Sequence, residues 1–511
     1  MRNLPVLIPI LPLASAMLCL ALSRINKNLG KYVVIGALTV SFASAIGLFV
    51  EVMRTGETIH YYMGGWKPPL GIEFVIDEMN AIILVAIAAV ALFVCIYSQP
   101  FFSEKTRRLK RQKDNSNYAD GTTWLEKGGF YALYALLSAG LLGMTITGDM
   151  FNLYVFLEIA SISGYGLIAL GGDKSVMASF RYLLLGTIAA SFYLLAVAYM
   201  YSITGTLNMA DMAMLLAAHK NSPNVFIAVS MLIIAFGIKM ALFPLHGWQP
   251  DAYTYAHPAA APLIAGLMSK APALAMLRYM FYIIGVDSPY VAKALTVIGF
   301  LGACGIILGS VMANAQRDFR RMLAYSSVAQ IGYIAVGLSL GNAYGIIAAV
   351  FHILIHAFMK SSLFMVIGAV RYRYDEVLIS KLGGLNKHMP LTTVTLVIAA
   401  LSMVGIPPTG GFFSKWYIIM GSLESGHYFY LVVLIVSSLL NAMYFFRVLE
   451  TVFINKDAEL EEVRPKGRFE LPLQMLVPIV LFGIVIIAIG VLNAHIVADV
   501  LSLGLPEVLA I

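Results

Sequence analysis

"FGIKMALFPLHGW", residues 236–248, decides how this chain is read. Its first half has the composition of a membrane-spanning helix, yet it carries an ammonium group at Lys239 and a helix-breaking proline five residues later, at Pro244. An ionised side chain at mid-membrane costs at least about 2.5 to 3.5 kcal/mol on insertion scales, so it must face inward, be paired or be hydrated. The stretch therefore predicts a broken helix. The break frees backbone groups that admit water at mid-membrane depth, and Lys239 uses that water.

The rest of the chain supplies the membrane. Of 511 residues, 60% are hydrophobic and 12% charged, against roughly a quarter charged in a soluble domain. Mean hydropathy is +0.84. A window of about 19 residues gives about fourteen spans, near 4–23, 30–52, 75–98, 128–147, 150–171, 177–203, 223–245, 257–284, 289–313, 321–340, 343–370, 390–420, 428–450 and 471–495. The expected fold is all-α and integral to the membrane, a single domain over 1–511. The first span is expected to be a retained helix, because its apolar run continues past the small residues at 14–16 to Leu22. Cys19, Cys95 and Cys304 lie in three different spans, which argues against disulfides, iron-sulfur clusters and zinc sites.

Basic residues alternate by side. If the N-terminus faces outward, inside loops hold 23 Lys and Arg, outside loops five, and the spans the other six of the 34. This predicts a multi-pass protein of the cell membrane with both termini outside. The basic loop 99–127, with "EKTRRLKRQK" at 104–113, and the mixed-charge loop 451–470 are expected to be inside faces for anionic lipid or a partner subunit, not nucleic acid. The stretch 206–219 is expected to lie along the outer interface.

Span twelve repeats the feature of span seven: "MVGIPPTGGFFSKW" sets Pro407, Pro408, Gly410 and Gly411 before Lys415. Paired broken helices, each with an embedded lysine, predict two inverted five-helix repeats around a transport path, 128–284 and 289–450. Glu158 lies mid-way along span five, Lys239 in span seven and Lys270 in span eight. In span eleven, His352, His356 and Lys360 recur every four residues and share one helix face. Lys360 and Lys415 could instead snorkel to the interface. Arg181 and Arg278, nearer span ends, suit lipid or structural pairing. Several bases with one buried carboxylate do not make a sodium site, which needs converging oxygen ligands. Lysine and histidine exchange protons, so a water-bridged row of them is a proton wire, with Glu158 setting the charge state at one end.

These residues sit in longer motifs: "DMFNLYVFLEIASISGYGL", "GIKMALFPLHGWQPDAYTYAHPAAAPLIAGLMSK", "RDFRRMLAYSSVAQIGYI", "FHILIHAFMKSSLFMVIGAV" and "GIPPTGGFFSKW". Together they resemble the antiporter-like subunit family shared by respiratory complex I, Mrp-type sodium/proton antiporters and energy-converting membrane-bound hydrogenases. Within it the chain looks most like the Mrp D-type subunit and its counterpart in archaeal membrane-bound hydrogenase. Lys415, where some complex I relatives carry glutamate, and the absence of a long lateral helix after the last span fit that side. The resemblance implies roles as gating glutamate for Glu158, partner lysine for Lys239 and central lysine for Lys270. It also implies bridging histidines at His352 and His356 and the terminal ionisable residue at Lys415.

The expected function is proton translocation within a multisubunit ion-pumping complex; whether sodium, if it moves, passes through this chain or a neighbouring subunit stays open. Lys360, His246, Asp251 and His257 near the inside mouth are second-tier candidates for proton entry or exit. No cofactor motif is present, so any redox catalysis belongs to partner subunits, and the choice between hydrogenase, dehydrogenase and gradient-driven antiporter stays open. A complex I-like subunit of NADH/quinone dehydrogenase and a non-conducting scaffold remain as alternatives. A solute carrier wants a substrate-sized cavity with mixed ligands, and bis-His haem ligation generally needs two facing helices.

Overall fold

Runs of apolar residues bounded by short polar caps set the helix starts. Asp77 accepts the Asn80 N–H at 2.7 Å, Asp149 the Asn152 N–H at 2.7 Å and Asn342 the Gly345 N–H at 2.9 Å, each satisfying one of the donors left open at a helix start. In this computed structural model, residues 3–26, 28–102, 124–454 and 470–506 are described. Most of the expected basic loop 99–127 and of the loop 451–470 lies outside the described residues.

The principal helices are α1 (Leu4–Ile25), α2 (Leu29–Thr55), α3 (Glu78–Ser98), α4 (Trp124–Ile146), α5 (Met150–Ala169), α6 (Asp173–Thr204) and the short α7 (Met209–Leu216). They continue with α8 (Pro223–Met240), α9 (Gln249–Tyr255), α10 (Ala261–Leu267), α11 (Lys270–Arg278), α12 (Pro289–Asn314), α13 (Phe319–Ser339) and α14 (Ala343–Tyr374). The last are α15 (Pro390–Val404), α16 (Gly410–Glu424), α17 (Tyr428–Phe453) and α18 (Leu473–Val491). A two-stranded hairpin, β1 (Ile59–Tyr62) and β2 (Glu73–Ile76), pairs Ile59 with Ile76 and Tyr62 with Glu73. Sequence reading missed it, since a lone hairpin between two strong spans has no periodicity of its own. Buried Glu73 ties it down, accepting from Asn208 Nδ2 at 2.8 Å.

Among the described residues, twelve helices are long and apolar enough to cross a membrane. The other two expected spans, 257–284 and 390–420, are interrupted. Span seven breaks at Ala241 (φ 64°), and span twelve at Gly405 (φ 91°), as the proline and glycine pattern predicts. The break in span eight was not expected. There α10 ends at Leu267, and α11 starts again at Lys270. The signal was Pro272, whose missing N–H and bulky ring are incompatible with an unbroken helix.

At the centre stands α14, whose most apolar 18-residue window is entirely buried. It packs on α3, α10, α11, α13, α15, α16 and α18, as expected of a helix apolar on all sides. Helices α12 and α13 pack closely: a Cβ at Gly302 would lie 2.8 Å from the Ala335 Cβ, and one at Gly332 2.5 Å from the Gly302 carbonyl. Only small residues permit that approach in a membrane bundle. The expected interfacial stretch 206–219 contains α7, which buries Met209, Met212 and Leu216 and exposes Met214 and Leu215.

Candidate functional site

Five lysines and histidines expected inside the membrane are buried: Lys239 is 2% exposed, Lys270 1%, Lys415 6%, and His352 and His356 0%. The site begins where α5 meets the last turn of α8. Lys239 Nζ donates to Ser161 Oγ at 2.6 Å and lies 3.4 Å from Glu158 Oε1. Glu158 and Ser161 are three residues apart on α5 and so share a face. The ammonium is enclosed while the carboxylate stays about a quarter exposed, so the negative partner is the one open to exchange. Ala241, in the left-handed region, ends α8, and the indole of Trp248 donates to the Ile238 carbonyl at 2.8 Å. The break thus frees carbonyls, but protein donors claim part of them.

A second cluster forms around α14. Lys270 Nζ donates to the Ala265 carbonyl at 2.5 Å, across the break between α10 and α11. Lys415 Nζ donates to the carbonyls of Met403 at 3.2 Å and Val404 at 2.8 Å, across the break between α15 and α16. Both ammonium groups therefore sit at the C-terminal end of a half-helix, where unsatisfied carbonyls and the helix dipole attract positive charge. The rings of His352 and His356 are 5.5 Å apart. His352 Nδ1 pairs with Ser414 Oγ at 2.9 Å, while His352 Nε2 and both ring nitrogens of His356 have no protein partner. Lys270 is within electrostatic range of both histidines and of Lys360, and Lys415 is within range of His352. Among the described residues no direct hydrogen bond joins Lys239 to Lys270.

The second-tier residues divide. Lys360 does not snorkel: it is 0% exposed and donates to the Leu323 carbonyl at 2.8 Å and to Ser326 Oγ at 2.5 Å. Its position on the third turn of one stripe in the most buried helix carries it to the core, not the rim. Asp251 joins Arg181 at 2.7 Å and Arg321 at 3.7 Å. His246 is partly buried against Phe243, with Nδ1 lacking a protein partner. His257 lies among Phe101, Phe102 and Phe130. Arg278 caps α4, donating to the carbonyls of Thr145 and Thr147 at 3.3 and 3.2 Å. Sequence reading missed Ser161, Ser326 and Ser414, because a serine in an apolar run gives no signal until its partner is known.

Known proteins resemble the chain over nearly its whole length. Residues 147–441 match the family described as NADH:quinone oxidoreductase/Mrp antiporter, TM. The chain belongs to that family. The matched region contains Glu158, Lys239, Lys270, His352, His356 and Lys415. Among relatives, a NADH-quinone oxidoreductase N subunit of Desulforudis audaxviator is 44% identical, covering 99% of this chain and 99% of that protein. A Na(+)/H(+) antiporter D-type subunit of Alkalihalophilus pseudofirmus is 32% identical, over 94% of this chain and 92% of the relative. Of solved structures, a chain of the membrane-bound sulfane sulfur reductase, an archaeal respiratory membrane complex, superposes with a TM-score of 0.86 at 32% identity, covering 98% of each chain. This family member is thus a multi-pass, antiporter-like membrane subunit, and its relatives are subunits of multisubunit membrane complexes.

Proposed function

We propose that the chain moves protons along an internal row running from Lys239 through Lys270 and the His356/His352 pair to Lys415, with Glu158 setting the charge state at one end. The observation that carries this reading is the pair of His356 ring nitrogens, fully buried between groups that hold protons and bonded to no protein atom. An unsatisfied buried polar group costs about 1–3 kcal/mol. A site with several such groups is therefore a place for water, through which protons can pass. The two inverted repeats, 128–284 and 289–450, would put the broken spans seven and eight in one half and the broken span twelve in the other. With both termini outside in a cell membrane, Asp251, His246 and His257 would lie near the inside mouth.

The driving force comes from partner subunits. Relatives named for NADH-quinone oxidoreductase and for a Na(+)/H(+) antiporter support different partners, a redox arm or an ion gradient; the 44% identity of the former favours a complex I-like NADH/quinone dehydrogenase as the second reading beside the Mrp and hydrogenase types. Sodium, if transported, passes through a neighbouring subunit. The test is proton translocation by the assembled complex in sealed vesicles. Lys239→Ala or Glu158→Ala should abolish it without loss of assembly, and normal pumping by either variant refutes the row. Identifying the co-purifying chains separates the driving forces, since a nickel or iron-sulfur subunit accompanies only a redox complex.

A further inference from the structure

Beside both His352 and Lys415 stands an aromatic ring that the proton row does not account for. Tyr333, on α13, is 0% exposed. Lys415 Nζ lies 4.8 Å from its ring centroid, and the His352 ring lies 5.5 Å from it. A ring face is electron-rich and attracts an ammonium within about 6 Å, more strongly when both are desolvated.

The hydroxyl of Tyr333 is already committed. Ser437 Oγ donates to the Leu434 carbonyl at 3.0 Å, so it accepts in its 2.7 Å contact with the Tyr333 hydroxyl. That hydroxyl in turn accepts from Asn441 Nδ2 at 3.1 Å. Asn441 is itself fixed, because its Oδ1 accepts from the Tyr444 hydroxyl at 2.8 Å. Tyr333, Ser437, Asn441 and Tyr444 are all buried. The phenolic proton points into α17, and the ring is what faces the row. An amide cannot pass a proton on without changing tautomer, so this network holds the ring and conducts nothing.

We propose that Tyr333 is a positioning residue that gates exchange between His352 and Lys415, its ring face holding the charged Lys415 against the half-helix carbonyls of Met403 and Val404. Proton exchange with His352 then takes place with the ammonium held in that position, and is lost as the hold weakens. The proposal rests on the proton row above and adds a member that acts through its π-face.

The test varies the ring without varying its size. Position 333 in the assembled complex is replaced by phenylalanine, and then by phenylalanines carrying one, two and three ring fluorines, which withdraw charge from the face. Proton translocation is measured in proteoliposomes, with Lys415→Met as a parallel arm. Tyr333→Phe should translocate close to the wild-type rate, because the face is kept. The rate should then fall stepwise with fluorination, by about two- to thirtyfold over the series. A series that stays flat or rises overturns the gate, as does a Tyr333→Phe rate already at the floor. A packing role alone would leave the fluorinated variants alike. Full activity in Lys415→Met would instead overturn the proton row itself, so the two failures are distinguishable.

Discussion

Lys415 donates its ammonium to the Val404 carbonyl at 2.8 Å, and Val404 is the last residue of the half-helix that ends at Gly405. The residue placed in hydrocarbon is thus held by the defect beside it. Lys270 repeats the device on Ala265. In each case the break exposes carbonyls that water would otherwise have to solvate, and the lysine finds there the acceptors that a regular helix denies it.

The clasp at Gly405 makes its conformation exacting. Its φ of 91° disfavours any side chain, and a Cβ there would lie 3.0 Å from Lys415 Cδ. Gly405→Ala is expected to destabilise the folded protein by about 1 kcal/mol or more and to slow translocation by shifting Lys415. Gly36→Ala, on α2 with nothing within 4 Å of the new Cβ, serves as control and should stabilise by about 0.5–1 kcal/mol. Thermal unfolding in detergent, set beside vesicle assays, checks both.

At the other end of the same half-helix, Glu470 accepts from the Leu391 and Thr392 N–H groups at 3.0 and 2.8 Å and from the Thr392 hydroxyl at 2.7 Å. α15 therefore carries a carboxylate at its N-terminus and an ammonium at its C-terminus, each matched to the helix dipole. Glu470→Ala should lower stability by about 0.5–2 kcal/mol, seen as a lower melting temperature, while leaving proton affinity along the row untouched.

Glu158 and Lys239 should separate charge from structure. Glu158→Ala leaves the enclosed ammonium with only Ser161, at a cost below the about 3–5 kcal/mol of a fully buried pair, because Glu158 is partly exposed. The double variant Glu158→Ala/Lys239→Met removes both charges. It is expected to regain the melting temperature of the parent and still fail to pump. Recovery of pumping in the double variant would mean that the pair is structural only.

Lys360 is held by one carbonyl and one hydroxyl, with no carboxylate paired to it among the described residues. Ser326→Ala should therefore destabilise more than Lys360→Met, since it takes one of two acceptors from a buried ammonium whereas the methionine fills the space. Chemical denaturation of the two variants side by side gives the order, and the reverse order would show that the ammonium has other acceptors.

The amino-acid sequence by itself determined the membrane class, the breaks in spans seven and twelve and the residues worth watching. Each of these rests on local physics: apolar length, proline and glycine chemistry, and the cost of charge in hydrocarbon. Tertiary structure alone decided who meets whom. The 3.4 Å approach of Glu158 to Lys239, separated by 81 residues, follows from how α5 packs on its neighbours, and no periodicity encodes it. The same holds for Ser414 beside His352 and for the ring of Tyr333 beside Lys415. Partners contributed by different helices have no spacing rule, since packing of small residues, and not sequence distance, sets which faces touch.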